Sequence, residues 1–318
     1  SFGGRSNYIH PISLPPTPTL NARLELHRYT DPEHLNYTQT DYDPLSFERP
    51  EWDLHVPEED RVTDPVRGRA GCHLAPAEWR FLGWLERENF EYDVYSETQF
   101  HFGILDLDQY DILAITVHPE YWSVEMYERL KAWVFERGGK LMYLGGNGLN
   151  CAVEFLDEST CIYRNEDDRE LRNKENKLES RFHQWHESEA NLLGVAYDPR
   201  GIMTAAPYKV IEAEHWIFHG TKLKQGELFG TASQHERVPG GASGHETDKR
   251  TLSSPPNTQL LAQGLNPEAG GAEMTIHETA SGGIVFSVGS INWVTSLLVD
   301  EHVSRITRNV VEHFLAER

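Results

Sequence analysis

Three short segments of this chain carry side chains that could hold a metal ion: His-Pro-Glu-Tyr-Trp-Ser at 118–123, Cys-Ile-Tyr-Arg at 161–164 and Ser-Gly-His-Glu-Thr-Asp at 243–248. Tyr121, Tyr163 and Glu246 in them would offer two phenolates and a carboxylate. These are hard anionic oxygen donors, which suit an oxidised, highly charged iron better than zinc or copper, whose sites draw more on imidazole and thiolate. Each segment alone is weak evidence, because most tyrosines are amphipathic packing residues. A competing group is Phe-His-Gln-Trp-His-Glu at 182–187, where His183 and His186 at i, i+3 spacing, with Glu187 beside them, could offer two nitrogens to zinc.

Other chemistry-bearing stretches read more plainly. Gly145-Gly-Asn-Gly148 lacks the lysine of a P-loop and the spacing of a dinucleotide fingerprint, so its glycines are expected to allow close backbone approach at a strand end. Cys151 follows that strand without the nucleophile-elbow pattern and reads as a buried thiol.

The elements that must position these residues follow from periodicity and end signals. A helix is expected to open near Ala75-Pro76, with Trp79, Phe81, Leu82, Trp84 and Leu85 on its apolar face, and Asp93-Val94-Tyr95 reads as a short strand. The β-branched run at 111–117 reads as a central strand buried on both faces. A helix capped by Ser123 and stopped at Gly138-Gly139 leads to a second buried strand at 140–144, which makes a parallel strand–helix–strand unit. Functional loops of such sheets lie beyond the carboxyl ends of the strands, where 118–123 and 145–150 both fall. A further buried strand is expected at 283–289, with an amphipathic terminal helix after it. The stretch 1–70, rich in Pro, Asp, Glu, Asn and Tyr, reads as an extended arm over the body or a partner, 71–318 as the α/β domain, and 160–260 as an excursion of antiparallel elements and loops.

The chain has 318 residues, enough for a sizeable core, and its net charge of −21 argues against nucleic acid or an anionic membrane as partner. A small neutral substrate would be indifferent to that charge. Three cysteines without a Cys-x-x-Cys pair fit a reducing compartment, and the chain reads as cytoplasmic, with no apolar run of membrane-spanning length.

Taken in order, the motifs resemble those of the large subunit of N,N-dimethylformamidase and its relatives. The resemblance rests on Gly3-Gly4-Arg5-Ser6, Ser46-Phe47-Glu48-Arg49-Pro50, the 118–123 segment, Gly145-Gly-Asn147, Cys161-Ile-Tyr163, His215-Trp216, Gly220-Thr221, Gly244-His-Glu246 and Arg305-Ile-Thr-Arg-Asn309. It implies a glutamine-amidotransferase-like, Rossmann-like α/β fold with a mostly parallel sheet flanked by helices. It also implies a mononuclear ferric iron on Tyr121, Tyr163 and Glu246, and hydrolysis of a small neutral amide. Glu246, Glu120, His118 and His245 become the candidates for supplying the leaving amine with its proton. Pro119, His245 and Asn150-Cys151 depart from the family's usual residues, which puts the identity of the amide in doubt. The family's large subunit begins before Ser1, so a companion polypeptide completing the sheet in a hetero-oligomer is expected. Two alternatives stand beside this reading: a non-catalytic α/β subunit, and a zinc amidohydrolase using His183 and His186.

Overall fold

The computed structural model describes residues 45–46, 75–163, 179–235 and 238–316. Strand β1 (Leu45–Ser46) is the described part of the stretch 1–70, and the rest of the expected arm lies outside the described residues. Helix α1 (Ala75–Glu88) buries Ala77, Phe81, Trp84 and Leu85 along one face, while Trp79 is half exposed. Helix α2 (Glu97–His101) starts at a capping box formed by Ser96 and Gln99. The strand expected at 93–95 is absent, and residues 90–96 form no helix or strand. Val94 is exposed, and Tyr110 donates to Asp93 at 2.7 Å, so the run has no apolar burial to hold it in a sheet.

Strand β2 (Ile112–Val117), the two-residue β3 (Tyr121–Trp122), helix α3 (Val124–Arg137) and strand β4 (Lys140–Gly145) follow in turn. Ser123 Oγ accepts from Met126 N at 3.2 Å to cap α3, and Gly138 ends the helix in the left-handed region at φ 75°. The hairpin β5 (Cys151–Phe155) and β6 (Thr160–Tyr163) leads to two short helices, α4 (Arg181–Trp185) and α5 (Ala190–Leu193). Short strands come next: β7 (Ala196–Asp198), β8 (Ala205–Ala206), β9 (Tyr208–Val210), β10 (Leu228–Phe229), β11 (Ser243–Gly244) and β12 (Thr247–Lys249). The chain closes with β13 (Gln259–Gly264), β14 (Glu273–Glu278), β15 (Ile284–Ser287), α6 (Trp293–Ser296) and α7 (Glu301–Ala316).

The main sheet has seven strands in the order β10-β9-β13-β14-β15-β4-β2. Only β15, β4 and β2 pair in parallel, so the sheet is mixed rather than mostly parallel as the sequence suggested. The cause is connection length: β13, β14 and β15 follow one another through short links that turn the chain back on itself, whereas a parallel return needs a crossover such as α3. Strand β2, expected at the centre, is the last strand of this sheet among the described residues and is largely half buried. A second sheet, in the order β1-β6-β5-β3, lies beside it.

Alternation along the strands builds two cores. Met142 and Leu144 of β4 join Ile284 and Phe286 of β15 on the face packed by α1, α6 and α7. Leu141, Tyr143 and Val285 point to the other face, against Phe100 of α2 and Met126, Leu130 and Trp133 of α3. No helix among the described residues is long and apolar enough to cross a membrane.

His277 on β14 is buried, and neither ring nitrogen has a hydrogen-bond partner among the described residues. Burial pushes its pKa down to about 4. The unfolded chain would protonate it near pH 6.5, so its stabilising contribution is whole above that pH and is lost as the pH falls toward 4. His277→Leu should therefore gain on wild type by about 2 kcal/mol between pH 7.5 and pH 5. Urea unfolding at both pH values measures this, and an equal difference at the two would refute the burial argument.

Candidate functional site

The last residue of β2, Val117, has φ 62°, a strained conformation for a β-branched side chain. It turns the chain abruptly into His118, and its carbonyl accepts from Gly146 N at 3.0 Å. The two loops run on together: Leu149 N donates to Pro119 O and Cys151 N to Glu120 O, both at 2.8 Å. Glu246, between β11 and β12, is brought alongside by the loop that follows β15. There Asp248 N donates to Gly289 O at 2.8 Å and Asn292 N to Gly244 O at 3.0 Å. The site therefore lies beyond the carboxyl ends of the three parallel strands. Gly146 must lack a side chain, because a Cβ there would stand 2.6 Å from Glu246 O and 2.9 Å from Ile291 N.

His118 Nε2 lies 3.0 Å from Glu246 Oε2 and 3.4 Å from Glu120 Oε2. Asn147 Nδ2 donates to the same Glu246 oxygen at 2.9 Å. Burial opposes the Glu246 charge, but His118, helped by His245 and the Asn147 amide, outweighs it and holds the carboxyl below the usual carboxylate range. A carboxylate can only accept, so Asn147 Nδ2 donates to it; His118 Nε2 stands 3.1 Å from Asn147 Nδ2 as well, and donates to Glu246 in the tautomer that carries its hydrogen on Nε2. Behind them is a support that the sequence reading missed. Asp248 Oδ1 accepts from Asn147 N at 2.7 Å, Asp248 Oδ2 accepts from Tyr143 OH at 2.7 Å, and Tyr143 OH accepts from Gly148 N at 2.8 Å. Burial pushes Asp248 up to about 7. An Asn between glycines at a strand end, and an Asp two residues after Glu246, were the available signals.

The two candidate tyrosines flank one strand. Tyr121, buried, pairs with Cys151 of β5 from one side, and Tyr163 pairs with Val153 from the other. The Tyr163 side chain and Arg164 lie outside the described residues. Cys151 is buried, with its sulfur 3.7 Å from Glu120 Oε1 and 3.8 Å from Arg181 Nη1. His245 is buried, with its ring centroid 5.0 Å from that of His235.

The histidine pair proposed for zinc does not converge. His183 Nδ1 accepts from Glu179 N at 3.2 Å, while His186 faces Glu128, and the grouping that forms is Glu128, His186 and Glu187, without His183. The chain turn at His186, with φ −145° and ψ −114°, ends α4 there and breaks the helical i, i+3 alignment.

The fold and site define a mixed α/β protein whose buried carboxylate and imidazole cluster sits beyond its parallel strand ends. Residues 23–306 match the family described as N,N-dimethylformamidase beta subunit-like, C-terminal, and the chain belongs to that family. It is 27% identical over 354 aligned positions to the N,N-dimethylformamidase beta subunit of Paracoccus aminophilus, covering 95% of this chain and 44% of that protein. It is 28% identical over 291 positions to the N,N-dimethylformamidase beta subunit of an Alcaligenes species, covering 76% of this chain and 37% of that one. The chain spans less than half the length of these curated relatives. Both are named as beta subunits, where the sequence motifs had suggested the large subunit of the same enzyme.

Proposed function

We propose that this chain carries the reacting centre of a dimethylformamidase-like amide hydrolase, on a glutamine-amidotransferase-like arrangement of its α/β elements. The substrate class is a small neutral N-substituted amide, cleaved at its C–N bond. The observation that carries the reading is the cluster of buried Glu246 and Asn147 with half-buried His118 and Glu120 in a chain of this family. One iron would be held by Tyr121, Tyr163 and Glu246. The donor chemistry fits, since Glu246 is kept ionised in a buried place and the other two donors are hard phenol oxygens. When bound, a ferric ion supplies Lewis acidity that polarises an amide carbonyl and acidifies water.

The chain's own groups handle the proton. His118 Nε2, between Glu246 and Glu120, carries a hydrogen close to two acceptors and is placed to pass it to a departing amine. Glu120 is the next acceptor along that path, and His245 is a second buried imidazole beside Glu246 in the chain. A hetero-oligomer with a companion polypeptide fits the beta-subunit names of the relatives.

Elemental analysis of the native assembly, combined with turnover of a panel of formamides, tests the reading. Iron near one per chain with amide cleavage is the expected result. An assembly with its companion present that holds no iron and cleaves no amide would favour a non-catalytic subunit instead.

A further inference from the structure

Cys151 opens strand β5 with its side chain fully buried between two polar groups. Its thiol donates to Glu120 Oε1 at 3.7 Å, and Arg181 Nη1 donates to the sulfur at 3.8 Å. Only this order suits the three groups, because a guanidinium donates, a carboxylate accepts and a thiol does both. The other oxygen of the same carboxyl group, Glu120 Oε2, stands 3.4 Å from His118 Nε2, which in turn lies 3.0 Å from Glu246 Oε2. A line of polar atoms therefore runs from a buried arginine, through the thiol and Glu120, to the imidazole of the site. Three segments meet there: the loop after β2, the start of β5 and the first residue of α4. Phe182 N, beside Arg181, fastens α4 to β5 by donating to Asn150 O at 2.8 Å. Backbone contacts already hold Cys151 to the loop, since its N–H donates to Glu120 O at 2.8 Å and it pairs with Tyr121. None of these needs the sulfur, so what the side chain adds is the direction of the Glu120 carboxylate.

We infer that Cys151 is a positioning residue of the site: its thiol, steadied by Arg181, aims the Glu120 carboxylate at His118. This rests on the amide-hydrolase reading above, in which Glu120 is the next acceptor on the proton's path, and adds to it a residue that acts through Glu120. A carboxylate on a rotatable side chain samples several directions unless a partner fixes one. Losing that alignment slows the chemical step rather than weakening substrate binding, so the effect belongs in kcat and not in KM.

The test uses the complete iron-loaded assembly with N,N-dimethylformamide as substrate, in wild type, Cys151→Ala, Cys151→Val and Cys151→Ser. Alanine removes the donor, valine fills the space without one and stands in should the alanine variant fail to fold, and serine keeps a donor. In the alanine and valine variants kcat is expected to fall about tenfold, one hydrogen bond's worth, with KM and iron content as in wild type. Serine should recover most of that loss. Crystal structures of wild type and Cys151→Ala should show Glu120 turned away from His118 in the variant, with Tyr121 in place. Full kcat without a donor, or a serine variant as slow as the other two, overturns the inference and leaves the hydrolase reading standing. Loss of iron from Cys151→Ala overturns it as well, because the residue would then act on Tyr121 rather than on Glu120. A wild-type assembly that cleaves no amide sinks the hydrolase reading, and the two structures then judge the positioning role by themselves: a displaced Glu120 supports it, and an unmoved one overturns it.

Discussion

If the proposed iron site is right, Tyr121→Phe should fold like wild type and bind far less iron than wild type. The ring is buried in β3, and the change removes only the hydroxyl, so packing survives while one hard anionic donor disappears. Losing a first ligand should exceed the roughly 10–100-fold in affinity typical of losing a supporting partner. Phenolate-to-ferric charge transfer absorbs visible light, so the wild-type assembly should be coloured and the variant pale. Elemental analysis and the visible spectrum read both outcomes, and a variant with full iron and full colour would sink the ligand assignment.

Gly146→Ala should abolish turnover, by at least about a hundredfold, since misplacing reacting groups by about 1 Å can cost that much. The added methyl meets backbone on both sides, Glu246 O at 2.6 Å and Ile291 N at 2.9 Å, and neither can rotate away. The strand-end loops must separate, taking His118 and Asn147 away from Glu246. The sheet itself should persist, so circular dichroism near that of wild type with activity lost is the expected pair of results. An active Gly146→Ala protein would show that the loops are not held in contact as described.

The strongest local signals in the sequence were those that became β2, α3, β4, β15 and α7. Each is a long enough apolar run or stripe to be specified by its own residues, and Ser123 and Gly138 mark the ends of α3 by capping chemistry. The antiparallel half of the sheet was not legible. Strands such as β9 and β10 have three and two residues, too short for a period to register, and owe their existence to pairing with distant partners. For the same reason β2 read as central: an apolar run cannot say which neighbours it lacks. The side chains proposed for chemistry stood out by type, but Asn147, Asp248 and Tyr143 did not. Their meaning lies in contacts across 99 to 105 residues, which no local pattern encodes.

Those same separations govern how the centre comes into being. The 118–121 segment and the 145–148 loop adjoin early in the chain, whereas Glu246 and Asp248 must be carried back across about a hundred residues, and then locked by the Gly289–Asn292 loop. Closing loops of that length costs entropy that is recovered only when β15 has zipped onto β4, so non-local assembly of this kind is slow. The constellation is therefore expected among the last features to form during folding. A nascent chain released before β15 would carry the 118–121 and 145–148 segments but would lack the Gly289–Asn292 loop that holds Glu246 and Asp248 against them.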